Sequence, residues 1–145
     1  MKLSIGIDPG VSGGVALINS NDSIDVYPCP DTISDMADLL LEVNFLDYKT
    51  RAVIEAVHSF PGQGVSSTFK FGMNYGQWLG ILAALEMPYI QVTPSKWMKH
   101  YGSMPKDKTP RKNHLKHLAQ QRFPKEKITL KTADAILLAV YGLET

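Results

Sequence analysis

Residues 2–19 read KLSIGIDPGVSGGVALIN, and their pattern decides the start of the fold. Leu3, Ile5 and Ile7 alternate along an extended chain up to Asp8, which predicts a strand over Lys2–Asp8. Pro9-Gly10-Val11-Ser12-Gly13-Gly14 is a turn by composition, because Pro and Gly dominate it. Residues 14–19, GVALIN, form a second strand. Asn21-Asp22 turns the chain again, and Ser23–Tyr27 is a third strand. The three make an antiparallel meander, which Pro28, Pro30 and Asp31 end.

Outward from there the period changes. Met36, Leu39, Leu40 and Val43 recur at helical spacing within Ile33–Phe45. Arg51–Ala56, RAVIEA, is a short and mostly apolar strand, as expected when both faces are covered. His58–Gly64 is a loop. Ser66–Leu85 reads as a long helix whose Gly72, Gly76 and Gly80 fall on one face. That face allows close approach, either of its own sheet or of a second molecule. Pro88–Val92 is a fifth strand. Thr93 caps a short helix over Pro94–Tyr101 with Pro94 in its first position. Gly102–Pro110 is a basic loop, Lys112–Phe123 a helix, and Thr132–Tyr141 a last helix ended by Gly142. The order is β-β-β-α-β-α-β-α-α-α, an α/β chain. Residues 1–145 are expected to form a single domain without internal repeats.

Composition narrows the function classes. Hydrophobic residues at 44% supply a core, and 20% charged residues argue against disorder. The one cysteine, Cys29, excludes an intrachain disulfide and a thiolate metal cage. No stretch approaches the roughly 18 apolar residues that span a bilayer, and the first ten residues do not read as a secretory signal. A cytoplasmic protein with no membrane partner is expected. The net charge of +1 conceals an asymmetry: Lys96–Lys131 holds eleven Lys/Arg against Asp107 and Glu126, and the remainder is acidic. One basic third suggests a side that faces a polyanion.

Three carboxylates sit where an unpaired acid is costly. Asp8 ends the first strand, Glu55 interrupts the run Ala52-Val53-Ile54-Glu55-Ala56-Val57, and Asp134 lies in the first turn of an apolar helix. Taken singly, Asp8 could stabilise a turn and Asp134 could favour a helix dipole. Glu55 has few such explanations. A divalent cation is a partner that answers all three. Mg²⁺ prefers carboxylate oxygen together with water and phosphate, and a pair of such ions about 4 Å apart can clamp both oxygens of a phosphodiester displacement.

Ile5-Gly6-Ile7-Asp8-Pro9-Gly10, Val53-Ile54-Glu55 and Ala133-Asp134-Ala135 together resemble the motifs of the RuvC-type Holliday junction resolvases, in the ribonuclease H-like superfamily. The element order resembles that family over nearly the whole chain. The resemblance implies a mixed five-stranded sheet, three antiparallel strands then two parallel, flanked by helices. It implies that Asp8, Glu55 and Asp134 bind two Mg²⁺ ions, with Mn²⁺ able to substitute, for hydrolysis of a phosphodiester. It also implies a homodimer acting on four-way junctions, since a two-fold substrate suits a two-fold enzyme. The family carries a fourth acid or a histidine three residues before the last aspartate. Here that residue is Lys131, which cannot ligate a metal while protonated but could stabilise developing negative charge. The short chain and this lysine point to a bacterial or phage version.

The nucleic-acid surface reads from two segments. The loop after Glu55 holds Phe60, a candidate wedge for the open centre of a junction, with Phe69 and Phe71 as alternatives. Lys96, Lys99, Lys106, Lys108, Arg111 and Lys112 are candidate phosphate contacts. Trp97 and Tyr101 read as core. The histidines at 100, 114 and 117 suit phosphate better than zinc, and Ser12, Ser66 and Ser67 lack a base and acid for nucleophilic catalysis. Other readings stay open: a nuclease for RNA–DNA hybrids or flaps, a non-catalytic nucleic-acid binder, or an actin-like or sugar-kinase-like nucleotide binder. The last are usually longer and two-lobed.

Overall fold

The computed structural model describes residues 2–44 and 49–145. Strands β1 (Lys2–Asp8), β2 (Gly14–Asn19), β3 (Ile24–Pro28), β4 (Lys49–Glu55) and β5 (Tyr89–Val92) form one sheet in the order β3-β2-β1-β4-β5. The meander β1-β2-β3 is antiparallel, and β1-β4 and β4-β5 are parallel. This is the mixed sheet the sequence motifs imply. The end predicted for the first helix at Phe45 lies outside the described residues.

The strand period divides the core into two layers. Leu3, Ile5 and Ile7 of β1 point to one face, where they meet helices α1 (Ile33–Asn44) and α2 (Val65–Ala84) through Met36, Leu40, Trp78 and Leu82. Ala16, Ile18 and Val53 point to the other. There they pack on α3 (Pro94–Lys99), α4 (Lys108–Arg122) and α5 (Leu130–Glu144) through Trp97, Leu115 and Ile136. Helix α5 is buried from Thr132 to Tyr141 except at Asp134, so it needs no polar face there. Small residues let it lie against the sheet. A Cβ on Gly6 would fall 2.0 Å from Ala135 O and 2.5 Å from Ala139 N.

Three expectations are corrected. Gly142 does not end α5, which continues to Glu144. A Cβ there would lie 2.3 Å from Ser4 Oγ and 2.8 Å from Val53 Cγ2, so this glycine serves packing rather than a cap. The helix starts at Leu130 behind a Thr129–Thr132 capping box, which leaves Asp134 in the second turn and not the first. Helix α4 starts at Lys108, four residues earlier than expected. Pro110 is accommodated in the first helical turn, where its missing N–H would have had no intrahelical partner.

The glycine stripe of α2 also differs from one of its two readings. A Cβ on Gly72, Gly76 or Gly80 meets nothing within 4 Å, so this face does not pack on its own sheet. Trp78 and Leu82 fill that role.

Candidate metal centre and its basic rim

Strand register brings the first two acids together. Ile7 pairs with Ile54 across the parallel β1-β4 ladder, so Asp8 and Glu55 emerge side by side at the carboxyl ends of neighbouring strands. Open α/β sheets bind ligands at such ends. Asp134 reaches them from α5, which the small residues have seated on β1. One carboxylate oxygen from each of Asp8, Glu55 and Asp134 lies within 4.8 Å of the others.

The turn after Asp8 is held from behind. Gly10 has φ 104°, a conformation that favours glycine. Its N–H donates to Asn74 Oδ1 at 2.8 Å, and Phe71 packs where a Cβ would stand. Asn74 Nδ2 in turn donates to Cys29 Sγ at 3.7 Å. Glu55 has a direct donor: Trp97 Nε1–H to Oε2 at 2.7 Å.

Burial of the three carboxylates raises their affinity for protons. Burial pushes Asp8 well above the usual carboxylate range, with Glu55 and Asp134 adding to it and Lys112 opposing. Burial lifts Glu55 to about 7, against the Trp97 hydrogen bond and with Asp134 adding to the rise. Asp134 is raised by burial, opposed by Lys112 and Arg111. An oxygen-only donor set of this charge suits a hard divalent cation. Such an ion would offset the repulsion that the protons otherwise relieve.

A cavity of about 530 Å³ opens over the acids, with Lys70, Lys108 and Lys112 in its walls. Lys108 and Lys112 are one turn apart at the start of α4, so the helix aims both cations at one face. Lys70 and Asn74, both on α2, are site residues that the sequence did not single out. Neither lies in a motif, and only the packing of α2 beside the Asp8 turn reveals them. Trp97 is fully buried, as expected, but its bond to Glu55 was not foreseeable.

The remaining predicted residues lie around this cavity or apart from it. Lys131 is exposed in the first turn of α5 and is not among the residues lining the cavity. Lys96 and Lys99 are exposed on α3, and Lys106 is exposed just before α4. Arg111 is half-buried and donates to Lys106 O at 2.8 Å, so it also shapes the basic loop. Phe60 is 61% exposed and packs against His58 with the rings tilted and their centroids 4.7 Å apart. Phe69 is exposed on α2, whereas Phe71 packs on Gly10. His100 lies 2.9 Å from Glu144 and packs on Tyr101 and Tyr141, so its ring is engaged within the fold.

The mixed sheet in the order β3-β2-β1-β4-β5, with helices on both faces, is a ribonuclease H-like fold. Within that class, the chain has the fold of the RuvC Holliday junction resolvases. RuvC from Thermus thermophilus, solved with a Holliday junction substrate, superposes with a TM-score of 0.70 at 15% identity, covering 97% of this chain and 92% of that one. A second structure of T. thermophilus RuvC gives 0.64 at 16% identity, with 96% and 92% coverage. The yeast mitochondrial Holliday junction resolvase gives 0.50 at 14% identity, covering 97% of this chain and 77% of that one. No family profile matches the sequence, and no curated protein does. No helix among the described residues is long and apolar enough to cross a membrane.

Proposed function

We propose that this protein is a Mg²⁺-dependent, structure-selective DNA endonuclease that resolves four-way junctions, with one nuclease domain per chain and two chains per active dimer. The convergence of Asp8, Glu55 and Asp134 within 4.8 Å, under a lysine-lined cavity, carries the reading. A non-catalytic binder has no use for three mutually repelling carboxylates beside its phosphate contacts.

Asp8, Glu55 and Asp134 hold the metal, Mg²⁺ or in its place Mn²⁺. When bound, the metal supplies the positive charge that activates attacking water and the scissile phosphodiester. The chain's own cations do the rest. Lys112, already felt by Asp8 and Asp134, sits to meet the scissile phosphate together with Lys70 and Lys108. Lys131 meets the strand at the mouth of the site. Lys96, Lys99, Lys106 and Arg111 hold flanking phosphates, which orients the duplex without reading its sequence. Phe60 enters the unstacked centre of the junction, where an apolar wedge costs least. This work suits the cytoplasm of a bacterial or phage-infected cell.

The exposed face of α2 is the dimer surface in this reading. Val65, Phe69 and Met73 are exposed on it, and the open glycines permit a second α2 to approach closely.

Incision of a synthetic four-way junction in Mg²⁺, beside RNA–DNA hybrid and flap substrates, tests the reading. Paired cuts near the junction centre are expected, with Asp134→Asn slower by at least about 100-fold, a loss typical of a group that stabilises transition-state charge. Faster cutting of hybrid or flap would move the protein to another nuclease activity on the same fold. Equal cutting by Asp134→Asn would remove the metal centre from the mechanism.

A further inference from the structure

Trp97 is fully buried, and its only polar atom is spent on a carboxylate of the acidic centre. Two features make that bond more than a satisfied indole. The first is chemical: indole Nε1–H is a donor with no charge and no acceptor capacity. It can fix an ionised carboxylate without adding a positive charge beside a cation. Of the roughly four acceptor sites on the carboxylate, it uses one and leaves the others open.

The second feature is the frame behind the ring. Thr93 caps α3, its side chain accepting from Lys96 N at 3.3 Å, and Pro94 opens the helix. The indole meets Tyr101 edge to face at 6.3 Å. The Tyr101 hydroxyl donates to the carbonyl of Leu137 on α5, the helix that carries Asp134. Glu55 on β4 and Asp134 on α5 are therefore tied through one aromatic pair, buried Trp97 and half-buried Tyr101. Exposed Lys96 and Lys99 stand on the same short helix as the indole.

We infer that Trp97 is a positioning residue of the acidic centre: its N–H fixes the Glu55 carboxylate and thereby sets the affinity of the three acids for a divalent cation. The inference rests on the metal reading of that centre. Groups that orient metal ligands in this way are worth about 10–100-fold in affinity.

The test uses the full chain and Mn²⁺ alone, with free ion followed by electron paramagnetic resonance. Trp97→Phe keeps a buried ring and removes the donor. Its Mn²⁺ dissociation constant is expected to rise about tenfold or more, measured well below its melting midpoint so that lost packing does not enter. A folded Trp97→Phe with unchanged Mn²⁺ affinity would leave the indole a packing residue and overturn the inference. A second measurement needs no variant. In the wild-type nitrogen–proton correlation spectrum, saturating Mg²⁺ should move the Trp97 indole resonance and leave that of Trp78, buried on the opposite face of the sheet, in place. An unmoved Trp97 resonance in protein that binds Mg²⁺ overturns the inference even if Trp97→Phe does not fold. Wild-type protein that binds neither ion overturns the metal reading, and this inference with it.

Discussion

Each acid of the centre is held in place by groups that differ in kind. Asp8 depends on the backbone turn that Asn74 and Phe71 brace, Glu55 on one indole, and Asp134 on the seating of a helix. Their shared cost is proton affinity, which gives a signed prediction. Between its ordinary 4.5 and about 7, Glu55 holds a proton in the folded chain that the unfolded chain has released. Folded protein then binds more protons than unfolded, so stability falls as pH rises through that window and levels off above it. Asp8 and Asp134 shift in the same direction. Metal-free protein should therefore melt several degrees lower at pH 8 than at pH 5, and millimolar Mg²⁺ should recover most of the difference at pH 8. Equal melting at the two pH values without metal would contradict the raised carboxylates. The cations separate just as sharply. Lys112→Ala should lower the cleavage rate by at least about tenfold, with Lys131→Ala costing less, because Lys112 lies in the cavity wall and Lys131 does not. Single-turnover rates on a junction decide it; a larger loss at Lys131 would restore that lysine to the centre.

At the scale of elements, glycines in two helices have opposite meanings. Gly142 in α5 stands against Ser4 and Val53, while Gly80 in α2 faces open space. Gly142→Ala forces backbone or side chains apart, and overpacking of this kind costs about 1–3 kcal/mol. Gly80→Ala in the isolated chain should instead stabilise by up to about 1 kcal/mol, the helix-propensity difference. Denaturant midpoints of the two variants should move in opposite directions. Helix α4 makes a similar point about charge. Because it begins at Lys108, Lys108 and Lys112 are mounted on a helix one turn apart, with its positive end beside the acids. Had the loop run to Pro110, as the sequence reading has it, Lys108 would have no fixed aim.

For the whole molecule, the proposed resolution of a junction requires two paired sites. A four-way junction presents two symmetric phosphates, and the described residues of a single chain present one acidic centre. Helix α2 both braces the Asp8 turn on its inner side and exposes Phe69 and Met73 on its outer side. A Met73→Glu change places charge on the exposed face without disturbing the core. It should convert a dimer into monomers in sedimentation or light scattering, with a melting midpoint within a few degrees of wild type. Paired incision should give way to single nicks. A dimer that survives this change would place the interface elsewhere.

The meander, the element order and the identities of the three acids were legible in the sequence, because each follows from local pattern. Alternating Leu3, Ile5 and Ile7 make a strand, a Pro-Gly-rich run makes a turn, and an acid inside an apolar run needs a partner. Charge asymmetry marked the basic third in the same way, since composition needs no geometry. What only the tertiary structure decided are the relations between distant segments. It put Asp8 beside Glu55 through parallel register and brought Asp134 to them on a helix lying tight on Gly6. It turned the glycine face of α2 outward, and it set Lys70, Lys112 and the Trp97 indole around the acids. Those relations depend on which surfaces bury one another, and a local sequence pattern fixes the face of an element but not what that face meets.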